Sequence, residues 1–153
     1  MKIEKIKNIN ILALEKFIHN TDNEFTPSLS SRINISIYAK KLAANSVIFA
    51  IKEGDIIIGL VACYANDFIE KKAYIPYIAI DKKYRGYGYS KLLLDSIIDY
   101  LNQNEFKLLS LTVRKNSAAY NLYKKYNFIE KKEFLYTNTK ILGCDMELQL
   151  WIS

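Results

Sequence analysis

The chain has 153 residues, half of them apolar and a quarter charged, with a formal net charge of +6. That length suits one domain spanning residues 1–153 with a substantial core, and the balance excludes disordered and collagen-like classes. No apolar run approaches the roughly 20 residues that cross a bilayer. The opening MKIEKIKNIN lacks the apolar segment of a secretion signal, so a cytoplasmic protein is the default expectation.

Residues 2–7, KIEKIK, alternate and predict a short strand. ILALEKFIHN follows with Ile11, Leu14 and Ile18 spaced for one helix face. NTDNEFTPSLSS is polar and reads as a loop. Residues 32–44 predict a second helix with Ile33, Ile37 and Leu42 facing inward.

VIFAIK and DIIIGLVACYA are β-rich runs joined by Glu53-Gly54-Asp55, a hairpin signal. KAYIPYIAI is a third run. Its Pro76 cannot donate a ladder hydrogen bond, so a bulge or a local loss of pairing is expected there. SKLLLDSIIDYLNQN places Leu94, Ile97, Ile98 and Leu101 on one helical face. KLLSLTV is the next strand, and NSAAYNLYKKY a helix that Asn116 or Ser117 can cap. NFIEKKEFLY and CDMELQLW return as strands, the last with Met146, Leu148 and Leu150 inward.

The order predicts a mixed α+β fold: a mostly antiparallel sheet of six to seven strands and about four helices. The unit from Tyr74 to Val113 is a strand-helix-strand crossover, which makes its two strands parallel.

Cys63 and Cys144 lack metal-ligand spacing and sit in apolar stretches, so both read as reduced core residues, and no metal is expected. His19 closes the first helix and reads as a surface residue. The lysines are scattered, with no like-charge block, which speaks against a nucleic-acid partner.

DKKYRGYGYS joins the third strand run to the long helix. The first amides of a helix have no partner within it, and with the helix dipole they attract anions. Glycines let backbone approach a ligand oxygen. Lys82, Lys83, Arg85 and Lys91 add positive charge, so the stretch suits a phosphate or pyrophosphate. It is neither a dinucleotide fingerprint, because Lys91 stands where the third glycine belongs, nor a P-loop.

Arg85-Gly86-Tyr87-Gly88-Tyr89-Ser90 resembles the Arg/Gln-x-x-Gly-x-Gly/Ala signature of the GCN5-related N-acetyltransferases (GNAT). A second stretch, Val113 to Tyr123 (VRKNSAAYNLY) followed by Asn127-Phe128, resembles that family's later block. Ser90 replaces a smaller residue, and Asn127 replaces the glycine that usually precedes Phe128; Asn is the next best left-handed residue at a helix end.

The resemblance implies acetyl-CoA, or a related acyl-CoA, as donor. It implies that amides from Arg85 to Ser90 hold the pyrophosphate, that Ile78, Ala79 and Ile80 pair their backbone with the pantetheine arm, and that Asn116 touches the arm from the other side. It also implies an oxyanion bound near Ile78 and a leaving thiolate protonated by Tyr123. The general base stays open among Glu70, Asp67, Tyr77 and His19, acting directly or through water, and an amine that arrives already neutral would need none. By resemblance, the acceptor meets NTDNEFTPSLSSR and YTNTK, where Asp22, Glu24, Phe25 and Arg32 suit a small polar amine such as an amino sugar, amino acid or polyamine. A peptide N-terminus is the alternative acceptor, and a cofactor-binding regulator without turnover the alternative function. Relatives commonly associate through their last strands, which implies a homodimer that no residue here demonstrates.

Overall fold

The computed structural model describes residues 2–150. One seven-stranded sheet runs β1-β2-β3-β4-β5-β7-β6. Its strands are β1 (Lys2–Ile6), β2 (Val47–Glu53), β3 (Ile56–Asp67), β4 (Lys72–Ile80), β5 (Leu108–Arg114), β6 (Ile129–Leu135) and β7 (Leu142–Gln149). The helices are α1 (Ile11–Thr21), α2 (Ile35–Asn45), α3 (Tyr89–Gln103) and α4 (Ala118–Lys125). The order of elements follows the sequence reading, although Trp151 of the expected closing strand lies outside the described residues. All pairings are antiparallel except β4 with β5, the crossover expected around α3.

Each sheet face has its own core. Leu93, Leu94, Ile97 and Leu101 of α3 pack with Ile75, Leu111 and Val113 on one face. Leu14, Phe17 and Ile18 of α1 and Ile35, Ala39 and Leu42 of α2 pack with Leu60, Tyr77 and Ala79 on the other. The inward face of α2 differs from the expected one, because Ile37 is 67% exposed and Ile33 lies before the helix. The reason is the cap. Asn34 accepts the Ile37 amide at 3.0 Å, which starts the helix at Ile35 and sets the phase at Ile35, Ala39 and Leu42. The first helix shifts in the same sense, with Ile11 39% exposed and Phe17 taking its place inside.

The feature that shapes the molecule lies at Pro76. Between the pairs Ala62–Tyr77 and Tyr64–Tyr74, β4 contains one more residue than β3, a bulge. Side-chain alternation slips accordingly: Ala73 and Ile75 face the α3 core, whereas Tyr77 and Ala79 face the α1–α2 core. The Tyr38 hydroxyl of α2 donates to the Pro76 carbonyl at 3.0 Å, satisfying an acceptor at the irregularity. On the other side of β4, pairing with β5 stops at Ile75–Leu111. Beyond it the two parallel strands diverge, each still held by its antiparallel neighbour, β3 or β7.

Candidate active site

The divergence of β4 and β5 opens a cleft of about 850 Å³ that runs from the Arg85–Ser90 turn to the segment between α1 and α2. Ile78, Ala79 and Ile80 line one wall, and Thr112, Val113 and Arg114 the other. The ladder with β3 determines which backbone groups face inward. The Asp81 amide donates to Ile58 at 2.8 Å, so by antiparallel alternation Ala79 turns its amide and carbonyl toward β3. Ile78 and Ile80 turn theirs toward the gap that β5 vacates. An extended arm in the cleft therefore finds two peptide groups ready to pair, while the Ala79 backbone is already spent in the sheet.

At the mouth, Gly86 and Gly88 have φ of 86° and 80°, the left-handed region that favours glycine. A Cβ on either would meet nothing within 4 Å, so backbone conformation rather than crowding calls for glycine there. Helices α1, α2 and α4 are capped by the side chains of Asn10, Asn34 and Ser117. Gly88, which precedes α3, supplies no side-chain cap. The Arg85 amide donates to the Lys82 carbonyl at 3.5 Å, and the Leu92 amide donates to the Gly88 carbonyl at 3.2 Å. A left-handed glycine turn at the start of a helix, beside Lys82, Lys83 and Arg85, fits a diphosphate, and the opened strands above it fit a linear arm. Gly86, Gly88, Tyr89, Ser90 and Arg85 border the cleft, whereas Tyr87 projects outward, 69% exposed.

Two expected residues lie off the cleft wall. Asn116 is exposed in the turn before α4, at φ 61°, and Ser117 does the capping by accepting the Tyr120 amide at 3.1 Å. Tyr123 is buried with its ring 5.5 Å from that of Phe128. Burial raises its phenol well above the ordinary value and keeps it protonated.

Of the open candidates for the base, Tyr77 is buried, hydrogen-bonded to Thr21, and pushed up by desolvation. Asp67 ends β3 and accepts the Glu70 amide of the following turn at 2.9 Å, and Glu70 pairs with Lys72 at 3.2 Å. His19 is on the surface beside Glu15. Only Tyr77 of the four borders the cleft. Sequence spacing gave no sign of two arrangements that do. Glu24 forms an ion pair with Arg85, and Tyr74, Thr112 and Asp145 are linked by hydrogen bonds across three strands. Among the described residues no group of His, Cys, Asp and Glu could hold a metal, and no helix is long and apolar enough to cross a membrane.

Residues 13–128 match the model of the acetyltransferase (GNAT) family. The chain belongs to that family. Enzymes of that family use acetyl-CoA as donor. N-alpha-acetyltransferase 30 of Saccharomyces cerevisiae is 33% identical over 81 residues, 51% of this chain and 46% of that protein, so the match spans about half of the curated relative's length. The ribosomal-protein-S18-alanine N-acetyltransferase from Escherichia coli shares the fold at a TM-score of 0.79 and 19% identity, covering 99% of this chain and 95% of that one. So does yncA from Salmonella typhimurium, solved with its cofactor acetyl-CoA, at 0.74 and 12%, covering 97% and 93%.

Proposed function

We propose that this GNAT enzyme transfers the acetyl group of acetyl-CoA directly to the primary amine of a small polar acceptor, an amino sugar, amino acid or polyamine-like molecule. The observation that carries the reading is the divergence of β4 from β5 beyond Ile75–Leu111, in a cleft that ends at the left-handed Gly86–Gly88 turn before α3. The acceptor side of the cleft supports the polar class, since Glu24 and Arg32 border it among the phenols of Tyr38, Tyr74 and Tyr136.

In this reading the amides of residues 85–90 hold the diphosphate, and the Ile78 and Ile80 peptide groups align the arm. The amine nitrogen attacks the thioester carbonyl carbon, an amide N–H near Ile78 stabilises the oxyanion, and the carbon–sulfur bond breaks. Tyr123, which burial keeps protonated, supplies the proton to the leaving thiolate. Asn116, in the turn before α4, contributes to the donor site from beyond the cleft wall. Both cysteines are buried, which supports direct transfer over an acyl-enzyme.

A peptide N-terminus is the second reading, favoured by the likeness to N-alpha-acetyltransferase 30. The test is a thermal shift with acetyl-CoA followed by thiol release with glucosamine, amino acids, spermidine and short peptides. Stabilisation by acetyl-CoA and its loss in Gly88→Glu are expected, because the new carboxylate would occupy the anion site. Stabilisation without thiol release from any amine would make the chain a binding module instead.

A further inference from the structure

Tyr74, Thr112 and Asp145 stand on adjacent strands, β4, β5 and β7, on the sheet face away from α3. Their strand neighbours Ala73, Ile75, Leu111, Val113, Cys144 and Met146 all belong to the α3 core, so the alternation turns these three the other way. The Tyr74 hydroxyl donates to Thr112 Oγ1 at 3.0 Å, and Thr112 Oγ1 donates to Asp145 Oδ1 at 2.8 Å. Chemistry fixes the direction of this chain. An ionised carboxylate only accepts, so the single Thr112 proton points to Asp145, and the Thr112 lone pairs receive the Tyr74 proton. The Tyr74 oxygen is thereby left with lone pairs and no proton to offer to the cleft it borders.

The chain also stands where the chemistry must occur. Tyr74 and Thr112 flank Ile75–Leu111, the last pair before β4 and β5 diverge. A donor held by its diphosphate at residues 85–90, with its arm between the strands, carries its acyl end toward that convergence.

We propose that Tyr74 takes the proton from the attacking amine, and that Thr112 and Asp145 are positioning residues that orient its phenol and carry the proton away. The inference rests on the acetyl-transfer reading and adds the base that reading lacks. As the nitrogen–carbon bond forms, the amine N–H passes its proton to Tyr74 Oη, the Tyr74 proton moves to Thr112 Oγ1, and the Thr112 proton moves to Asp145 Oδ1. Tyrosine and threonine end neutral and the carboxylate ends protonated, so no other reactant is required.

The experiment measures steady-state thiol release with the best amine of the panel above, in wild type, Tyr74→Phe, Thr112→Val, Thr112→Ser and Asp145→Asn. General base catalysis contributes roughly 10²–10⁴-fold. Tyr74→Phe and Thr112→Val should therefore lower kcat by about 10²-fold or more while changing the acetyl-CoA KM by less than about threefold. Thr112→Ser keeps the hydroxyl and should recover most of that loss. Asp145→Asn is the discriminating variant, because its amide oxygen still accepts from Thr112 but cannot take up the proton. The relay predicts a fall in kcat comparable with Tyr74→Phe and a proton inventory in mixed H₂O and D₂O that changes from curved to linear. Asp145→Asn turning over at the wild-type rate overturns the relay alone. A wild-type protein that binds acetyl-CoA and acetylates no amine overturns the transfer reading and the relay with it.

Discussion

Glu24, in the segment between α1 and α2, forms an ion pair with the guanidinium of Arg85 on the glycine turn. Both residues border the cleft, so the contact joins the α1–α2 segment to the glycine turn. The Glu24 side chain is only 12% exposed, and burial outweighs the Arg85 attraction, so its carboxyl sits above the ordinary 4.5. Arg85 is half exposed and belongs to the turn proposed above to receive the diphosphate.

Glu24→Gln is therefore expected to strengthen coenzyme A binding, because Arg85 loses a competing anion. With the Arg85 end half exposed and screened by solvent, the pair is worth about 1 kcal/mol, which puts the gain at about fivefold. Isothermal titration with coenzyme A reads it directly, and a weaker Kd in the variant would mean that Glu24 positions Arg85 for the donor. The same substitution should alter the dependence of stability on pH. A carboxyl with a raised folded pKa contributes stability that is fully present below its unfolded pKa and is lost as pH rises through the folded value. Melting curves from pH 4 upward should show the wild type losing ground to Glu24→Gln as the pH passes 4.5.

Asn127 ends α4 at φ 71°. The Phe128 amide reaches the Tyr123 carbonyl and the Asn127 amide reaches Lys124, both at 3.0 Å, and the Tyr123 and Phe128 rings touch across the turn. This is a Schellman cap with its apolar contact. Asn127→Gly should match the wild type in urea unfolding. Asn127→Ala should lose about 1 kcal/mol, since an ordinary side chain is disfavoured in the left-handed region.

The cap was legible in the sequence because its causes are local: a helix of known face, then Asn-Phe. The glycine turn and the interruption at Pro76 were legible for the same reason, each depending on a few consecutive residues, and the parallel crossover followed from the strand-helix-strand order. The face of α2 was misread because Ile33 and Ile37 fit a helical period, and only the Asn34 cap fixes where that period begins. Glu24–Arg85 and Tyr74–Thr112–Asp145 had no local signature at all. Residues 74, 112 and 145 become neighbours only through the strand order β4-β5-β7, and residue 24 meets residue 85 only when the α1–α2 segment folds over the cleft.

Both cysteines should be inert in the folded protein. Burial pushes Cys63 up to about 12 and Cys144 up to about 11, so each stays a neutral thiol at physiological pH. A disulfide reagent at pH 8 should modify less than one thiol in the native protein and two after unfolding. Cys63→Ala and Cys144→Ala should each retain kcat, at some cost in stability from lost packing. A stoichiometric acetyl-enzyme trapped by acid quench in the wild type and absent in one variant would replace direct transfer with a covalent route.

Tyr123→Phe separates chemistry from packing at the end of α4. The ring is needed against Phe128, and phenylalanine keeps it; only the hydroxyl is lost. A buried phenol held above its ordinary pKa stays protonated, so in this site it can donate but does not serve as a base. If it protonates the departing thiolate, the variant should lose about tenfold or more in kcat with little change in the Kd for acetyl-CoA and no fall in melting temperature. The choice of donor leaving group sharpens the result. A thioester of a more acidic thiol leaves without help, so its turnover should be nearly the same in both proteins, whereas a less acidic thiol should widen the gap. Equal kcat on every thioester would leave Tyr123 with the packing role that its ring contact and its place in the cap already give it.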